Sequence, residues 1–331
     1  MGVLGPHVVG LRVVVRRVLR GELGPSGGPA MTDVLGICES WEAGVMTVRR
    51  TDGSVVEIAT ADIVSGKPVP PPPSVHRRLS AEQADRLALP GWQPLESEPL
   101  GDSLGGWVLR ASGGFSSRGN SALALGDPGV PLGDAVARVS QWYDARSLAP
   151  RAHVHPETPE AEAFADAGWS VYEPTLFMLA SVARVLRLLG TRDIRAVRHD
   201  VAVDGAWLAS DERAQRYGRA ARSVLEAGHV TFATVRSEQD EVLARGRAAF
   251  HGDWVGVSCL WTRPGLRGTG LGSAVLRSLL TWGAEQGART TYLQVVRSNE
   301  AARMVYKARG YEVHHRYDYL ARVNLEVGPD D

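Results

Sequence analysis

A run of prolines divides this chain into two regions of different character. Residues 66–74 read GKPVPPPPS, and proline, which lacks a backbone N–H, cannot continue a sheet or the interior of a helix. Such a run forms a stiff, extended segment. Because 331 residues also exceed what one compact core usually holds, we expect more than one domain, with a linker at 68–74.

The region before the linker, residues 1–67, is rich in short β-type runs. They are HVVGLRVVVRRV and SWEAGVMTVRRTDGSVVEIATADIV, and the second contains the tight-turn signal Thr51-Asp52-Gly53-Ser54. Several short strands in so few residues predict a small β-barrel, with a hairpin at this turn.

Two α/β segments follow, at 75–185 and 200–324. Their last stretches, DAGWSVYEPTLFMLA (166–180) and ARGYEVHHRYDYLA (308–321), share a glycine, an aromatic residue, a valine and a closing Leu-Ala. Because the preceding helix, strand and helix also match in length, we interpret this as an internal duplication. The predicted fold class is α+β: a small N-terminal β-barrel and two α/β units with a mixed, largely antiparallel sheet flanked by helices.

Charge and cysteine content narrow the class of protein. Lys plus Arg and Asp plus Glu each number 37, which argues against a protein that coats nucleic acid, so we expect no nucleic-acid partner. Cys38 and Cys259 form no C-x-x-C pair, which fits a reducing compartment. The sequence contains no run of about 18 apolar residues that could span a membrane, so we expect a cytoplasmic protein.

A glycine-rich loop, TRPGLRGTGLGSAVLR at residues 262–277, joins a predicted strand to a predicted helix. Glycines before a helix start gather backbone N–H groups around an anion. A P-loop would need Lys and then Ser or Thr where Leu271 and Gly272 stand, and a dinucleotide loop would need glycine where Ser273 stands. The pattern that remains is Arg-x-x-Gly-x-Gly, at Arg267, Gly270 and Gly272.

A second motif, NEAARMVYKARGY, lies downstream at residues 299–311. Asn299 and Tyr306 are seven residues apart and so share one helix face. The two motifs, in this order, resemble the GNAT superfamily of N-acetyltransferases, and the resemblance implies acetyl-CoA as the acetyl donor. By this resemblance the coenzyme-binding residues are Leu260, Trp261, Thr262, Arg267, Gly268, Thr269, Gly270, Leu271, Gly272, Ser273, Asn299 and Tyr306.

On stretches such as VGLRVVVRRV, ADIVSGKPVP and GGFSSRGNS, nearly the whole chain resembles an actinobacterial family in which a Src-homology-3-like barrel precedes tandem GNAT-like halves. In the first half, LGDPGVPLGD (125–134) stands at the place of the glycine loop. Asp127 and Asp134 put negative charge where phosphates would lie, and the prolines remove N–H donors. We therefore expect 75–185 to be a degenerate half that does not bind the coenzyme, and 200–324 to be the catalytic GNAT domain.

The resemblance also implies a mechanism, the direct attack of a neutral amine on the acetyl thioester in a ternary complex. Backbone groups of 260–262 would position the pantetheine arm, and Tyr306 would protonate the departing thiolate as the general acid. The base stays unassigned, because the strand WVGVSCLWT carries no carboxylate. Water, a residue of the first half, Asp253 and His251 are open candidates, whereas Glu300 is expected on the wrong helix face.

Other candidates have ordinary interpretations. Cys259, in an apolar strand, is expected to pack rather than to act as a nucleophile. His153 and His155 share a strand face at the spacing of a metal pair, but no third ligand can be named, so we predict a solvent-facing strand and no metal. His314 and His315 should point to opposite faces of their strand.

Arg118 and Asn120 lie in the predicted hairpin SSRGNS, which faces the expected cleft. A turn is the ordinary interpretation of this stretch, and contact with the substrate is the alternative.

The prediction is an acetyl-CoA-dependent N-acetyltransferase acting on a primary amine, either of a small molecule or of a protein lysine. Two alternatives stay open. One is a non-catalytic acyl-CoA-binding sensor or scaffold, and the other is a protein-lysine acetyltransferase docked on a protein partner through the N-terminal barrel. The strand without a carboxylate favours the sensor, and Tyr306 favours the enzyme.

Overall fold

The computed structural model describes residues 4–24, 27–50, 54–69, 79–97, 105–191 and 196–322. Contacts divide the chain into two compact units, Met1–Arg78 and Leu79–Asp331. Most of the predicted linker, from Pro70 onward, lies outside the described residues, and Pro68 still pairs with Val13 in the sheet of the first unit.

The first unit is a small sheet of antiparallel strands. They follow the order β4, β3, β2, β1, β5, and their bounds are β1 (Arg12–Leu23), β2 (Pro29–Glu42), β3 (Val45–Arg49), β4 (Val55–Ala59) and β5 (Ile63–Pro68). Alternate residues of β2 and β3 are buried, as in a strand with one face on a core. That core consists mainly of Val13, Val15, Val34, Cys38, Met46, Val48 and Ile58.

The predicted hairpin is formed by β3 and β4, with Arg49 opposite Val55. Its turn residues 51–53 lie outside the described part of the chain. Among the described residues, β4 and β5 are the two edge strands of this sheet. The strand pairing is therefore that of an open β-rich sheet rather than a closed barrel.

The second unit begins with helix α1 (Ala81–Ala88), where Ser80 and Gln83 form a capping box. The other elements of its first half are β6 (Glu96–Ser97), β7 (Arg110–Ala111), β8 (Ala122–Leu123), α2 (Leu132–Asp144), β9 (Arg151–Val154), α3 (Pro159–Asp166), β10 (Trp169–Ser181) and α4 (Val182–Leu189). The second half contains β11 (Arg198–Asp200), α5 (Gly205–Ala209), α6 (Glu212–Leu225), β12 (His229–Arg236), β13 (Val242–His251), β14 (Trp254–Thr262), α7 (Leu271–Glu285), β15 (Thr290–Val296), α8 (Glu300–Ala308) and β16 (Glu312–Arg322).

Nine of these strands form one sheet, in the order β11, β12, β13, β14, β15, β10, β16, β9, β8. The last strand of each half has crossed to the other half: β10 pairs antiparallel with β15, and β16 pairs antiparallel with β9. Outside them, β14 pairs parallel with β15, and β8 pairs parallel with β9. On each side of the central β10 and β16, an exchanged strand pairs antiparallel with a strand that has a parallel neighbour beyond it. This repeated order confirms two related α/β units.

This exchange has a consequence for domain boundaries. The predicted halves 75–185 and 200–324 share one sheet, and from Leu79 onward the chain is a single compact unit. One core lies under α4 and α7, where Val275 and Leu279 pack with Met178 and Leu293. Among the described residues, no helix is both long and apolar enough to cross a membrane.

Candidate functional site

The glycine loop forms a sharp turn at the start of α7. Gly268 and Gly270 have φ angles of +80° and +96°, a left-handed conformation that residues with a Cβ rarely adopt. Gly270 is the residue before the helix, and no side chain caps the first turn. The N–H groups of 271–273 have no carbonyl within the helix to bind, so they point out of its N-terminus with the positive end of the helix dipole.

The loop lies tightly against the end of β14. A Cβ atom on Gly272 would come 2.9 Å from Oγ1 of Thr262, too close for an unstrained contact. Thr269 donates its hydroxyl to the carbonyl of Leu266 at 2.7 Å, which holds the loop closed on itself. Arg267 is exposed beside it. Glycine at 272 therefore lets the glycine-rich turn and the strand approach each other.

Strand β14 has a β-bulge next to this loop, in its pairing with β13. Cys259 has a φ of +55°, and the register between β13 and β14 shifts at the same point. The parallel pairing of β14 with β15 covers only Trp254 to Gly256, so the described strands part beyond it. Residues 258–262 are half-buried along the opening. Backbone groups of the predicted pantetheine-binding segment, 260–262, border this gap.

Tyr306, on α8, packs beside the same opening. Its ring meets that of Tyr311 edge-on, with centroids 5.8 Å apart. Burial raises the pKa of the Tyr306 hydroxyl to about 12, and the nearby Cys259 thiol adds to the rise. The hydroxyl therefore keeps its proton at neutral pH.

Cys259 does not have the properties of a nucleophile. Burial raises the pKa of its thiol, so the reactive thiolate is disfavoured. Its carbonyl accepts a hydrogen bond from Nη1 of Arg245 at 2.8 Å, which supports the bulge. The residue serves the geometry of the strand through its backbone.

Asn299 caps helix α8. Its Oδ1 atom accepts a hydrogen bond from the N–H of Ala302 at 3.1 Å, and the residue is exposed. Glu300, the first residue of α8, is exposed as well. The position of Asn299 is thus explained by helix capping, whatever else the side chain contacts.

Sequence reasoning missed one basic residue at the loop. Arg309, which follows α8, donates from Nη2 to Oγ of Ser273, 3.3 Å away in the first turn of α7. This places a guanidinium beside the N–H groups of the glycine loop. The sequence feature that could have indicated Arg309 is its position in KARGY, three residues after Tyr306.

A cleft runs from the β14 bulge into the first half. One part is lined by Gly256, Val257, Ser258, Tyr292, Gln294, Ala88, Gly91, Trp92, Arg118 and Arg247. An adjoining part shares Ala88, Trp92, Arg118 and Gln294 and adds Asp85, Leu89, Arg110, Leu123 and His153. The cleft therefore has walls from both halves. Ser258 and Gln294, which sequence reasoning did not single out, belong to the wall from the second half.

The two first-half candidates differ in position. Arg118 lines both parts of the cleft, with its guanidinium carbon 5.1 Å from the centre of the Trp92 ring. Asn120 is buried, and its amide binds the loop itself: Oδ1 accepts from the N–H groups of Ser112 and Gly114, and Nδ2 donates to two carbonyls. We therefore assign Asn120 to holding the hairpin that presents Arg118.

The candidate bases lie at different distances from the cleft. Asp253 is exposed, and its carbonyl accepts from the N–H groups of Arg289 and Thr290. Nε2 of His251 lies 3.2 Å from the hydroxyl of Tyr292, whose ring lines the cleft. Burial lowers the pKa of His251, so its imidazole is neutral at pH 7. Of the two, only His251 is connected to the cleft.

The predictions for the histidines are wrong in two respects. His153 is 2% exposed rather than solvent-facing, because β9 lies inside the sheet between β16 and β8. His314 is the extra residue of a β-bulge, since His315 pairs with Phe177 and Val313 with Met178. The bulge brings both rings to one side, where their Nδ1 atoms lie 2.8 Å apart.

Two family profiles match the chain. One, described as "Probable histone acetyltransferase Rv0428c C-terminal", matches residues 78–320, which is more than half of the chain. The chain belongs to this acetyltransferase family. A profile described as "Rv0428c N-terminal Sm-like domain" matches residues 7–67, the region that the sequence predicted to be Src-homology-3-like.

Individual relatives agree with this family. The uncharacterized N-acetyltransferase YobR of Bacillus subtilis (strain 168) is 24% identical over 245 residues, which cover 71% of this chain and 96% of YobR. A GCN5-related N-acetyltransferase from Kribbella flavida has a TM-score of 0.51 at 17% identity, covering 76% of this chain and 97% of its own. A functionally unknown conserved protein from Staphylococcus epidermidis ATCC 12228 has a TM-score of 0.52 at 12% identity, covering 72% and 96%. The chain is thus an acetyltransferase of this family, with the fold of a GCN5-related N-acetyltransferase, as predicted.

Proposed function

We propose that the protein transfers an acetyl group from acetyl-CoA to a primary amine, by direct attack within a ternary complex. The observation that carries this proposal is the uncapped start of α7, which opens beside the gap between β14 and β15. An anion-binding turn next to a strand with free backbone groups suits a ligand with a pyrophosphate at one end and an amide-containing arm at the other.

The residues divide the work of binding the coenzyme. The N–H groups of 268–273 bind the pyrophosphate, assisted by the charges of Arg267 and Arg309. Backbone groups of 260–262 hold the pantetheine arm, and α8 covers it with Tyr306. Bound there, acetyl-CoA supplies an acetyl thioester at the mouth of the cleft.

The chemical step needs a group that protonates the departing thiolate and a route by which the amine loses its proton. The acceptor nitrogen forms a bond to the acetyl carbon, the carbon–sulfur bond breaks, and the hydroxyl of Tyr306 protonates the departing thiolate. An amide N–H of the bulged strand stabilises the oxyanion that develops. The proton of the amine leaves to water in the cleft.

The first half takes a different role. The loop before α2 has Pro131 at the helix start and Asp134 in the first turn, and Asp127 accepts from the N–H of Gly129 at 2.7 Å. Negative charge and missing N–H donors disfavour a phosphate there. We propose that this half does not bind the coenzyme and instead supplies part of the acceptor cleft.

A protein lysine is the second candidate acceptor, because the matching family is described as a histone acetyltransferase. The cleft itself favours a small acceptor. Its described lining carries three guanidinium groups, those of Arg110, Arg118 and Arg247, and one carboxylate, that of Asp85. Such a lining repels a lysine-rich segment.

Thiol release from acetyl-CoA, measured on the full chain, tests the proposal. The panel contains primary amines of different length and charge and a lysine-rich histone-tail peptide. We expect turnover with at least one small amine that exceeds turnover with the peptide. A protein that binds acetyl-CoA but releases no thiol with any acceptor would instead be the non-catalytic sensor, and faster turnover of the peptide would favour a protein substrate.

A matched pair of variants tests the loop. Gly270→Asp forces a side chain and a negative charge into a left-handed position at the cradle, and should abolish measurable acetyl-CoA binding. Gly265→Asp adds the same charge in the same loop, where a Cβ meets nothing within 4 Å, and should retain binding within a few-fold. Equal affinities for both variants would contradict the assignment of the loop.

A further inference from the structure

A cluster of histidines surrounds one buried carboxylate, that of Asp85, which lines the cleft. Oδ2 of Asp85 lies 2.7 Å from Nε2 of His155, 3.1 Å from Nε2 of His315 and 3.3 Å from Nε2 of His153. Ligand atoms of Asp85, His153 and His155 all lie within 4.8 Å of one another. Ligand atoms around one Zn²⁺ at about 2.0–2.1 Å lie roughly 3.3 Å apart, so these three residues are close enough to share a small cation, and His315 lies within reach of the same carboxylate.

Two members of the cluster carry buried polar atoms that the described protein atoms leave unsatisfied. Asp85 and His153 are 3% and 2% exposed. Both ring nitrogens of His153 and the Oδ1 atom of Asp85 lack a hydrogen-bond partner among the described residues. The 3.3 Å contact between the two side chains is not aligned as a hydrogen bond. Each unsatisfied group costs about 1–3 kcal/mol, so a further partner is expected.

His314 orients one member of the cluster. Its Nε2 lies 3.1 Å from the carbonyl of Leu79, and its Nδ1 lies 2.8 Å from Nδ1 of His315. These contacts hold the His315 ring with Nε2 3.1 Å from Oδ2 of Asp85.

We propose that Asp85, His153, His155 and His315 bind one divalent transition-metal cation, with Zn²⁺ as the preferred ion. Imidazole and carboxylate ligands suit Zn²⁺ and Co²⁺, whereas Mg²⁺ and Ca²⁺ take oxygen ligands. The contact with His314 holds the ring of His315 in place, as the hydrogen-bond partners of metal-bound histidines do. The proposal departs from the sequence-based expectation of no metal, and it does not depend on the proposed acetyl transfer.

The location gives the site a structural effect. Asp85 belongs to α1, His153 and His155 lie in and just after β9, and His315 lies on the exchanged strand β16. A shared cation would therefore fasten the last strand of the second half to the first half. The guanidinium of Arg110 lines the same cavity and donates hydrogen bonds to the carbonyl and the hydroxyl of Ser121.

The test measures Zn²⁺ binding to the untagged full chain after chelator treatment, by competition with a chromogenic chelator. We expect one equivalent with a Kd below about 1 µM, and a melting temperature that rises with Zn²⁺ but not with Mg²⁺. Co²⁺ should produce visible d–d absorption that Zn²⁺ removes. His155→Gln, whose side chain is 16% exposed in the native protein, should weaken Zn²⁺ binding at least 100-fold, and His315→Gln about 10- to 100-fold.

His229→Gln is the matched control, because it removes one exposed imidazole from β12 and leaves the cluster intact. It should bind Zn²⁺ as the native chain does. A native protein with no binding tighter than about 100 µM, or a loss in His229→Gln equal to that in His155→Gln, would overturn the proposal. If His155→Gln fails to fold, the Co²⁺ spectrum and the Zn²⁺-dependent melting shift of the native chain decide, and the absence of both overturns it.

Discussion

The hydroxyl of Thr262 lies 2.9 Å from the point where Gly272 would carry a Cβ atom. The two residues join the end of β14 to the first turn of α7, so the strand that borders the gap and the glycine-rich turn share one contact. A side chain at position 272 would displace both the end of β14 and the first turn of α7.

We predict that Gly272→Ala lowers acetyl-CoA affinity about tenfold, which corresponds to about 1.4 kcal/mol. The added methyl group pushes Thr262 away and displaces the first turn of α7. Thr262→Ala in the same chain should restore most of the affinity by removing the clash. Gly265→Ala, where nothing lies within 4 Å, is the control, and calorimetry of all four proteins gives the comparison.

Arg309→Ala should weaken acetyl-CoA binding roughly fivefold at low salt, because one cation near a phosphate contributes about 1 kcal/mol in a solvated site. The guanidinium contacts Ser273 at the start of α7. Screening predicts that the difference from the native protein shrinks at high ionic strength. Arg309→Lys should retain most of the affinity. A loss that is independent of salt would point to a packing role instead.

Asn299→Ala should lower the free energy of unfolding by about 1 kcal/mol, since it removes the cap of α8. Asn299→Asp keeps an acceptor for the N–H of Ala302 and should keep the stability. Urea unfolding measures both. If Asn299→Asp unfolds as easily as Asn299→Ala, capping does not explain this residue.

Tyr306→Phe should reduce kcat by about 10²- to 10⁴-fold with little change in acetyl-CoA affinity, as expected for a lost general acid. The pKa of Tyr306 is raised to about 12, so the neutral form persists as the pH rises through 10. Difference titration of tyrosinate absorbance between the native protein and the variant should therefore show no ionisation of Tyr306 below about pH 11. A signal near pH 10 would mean that the hydroxyl is exposed.

The fragment 196–322 should fail to fold alone. It lacks β10, which lies between β15 and β16 and pairs with both. Co-expression with 79–195 should restore a soluble complex with one cooperative unfolding transition, because each piece supplies the strand that the other needs. A monomeric, cooperatively unfolding 196–322 fragment would contradict this prediction.

Local motifs were the part of the site that sequence could predict. The spacing of Gly268 and Gly270 before α7 could be recognised in the sequence because a left-handed backbone at a helix start requires glycine. Arg309 and Ser258 were not singled out, since a basic residue after a helix and a serine in a strand are common. Their roles depend on which elements lie beside them.

The histidines show where local reasoning fails. Alternation along a strand predicts opposite faces for His314 and His315, and the bulge opposite Phe177 and Met178 reverses that prediction. Asp85 is 68 residues from His153 in the sequence, so it could not be named as a partner of that residue before α1 was placed against β9.

The sequence by itself determined the division of the chain near its proline run, the duplicated α/β unit and the glycine-rich turn before α7. These features depend on backbone properties of proline and glycine and on short-range spacing, which act through a few neighbouring residues. Only the tertiary structure decided that the two copies exchange their last strands and that their residues line one cleft. Those arrangements depend on strand pairing and side-chain burial between segments more than 100 residues apart, such as β10 with β15, which no local pattern encodes.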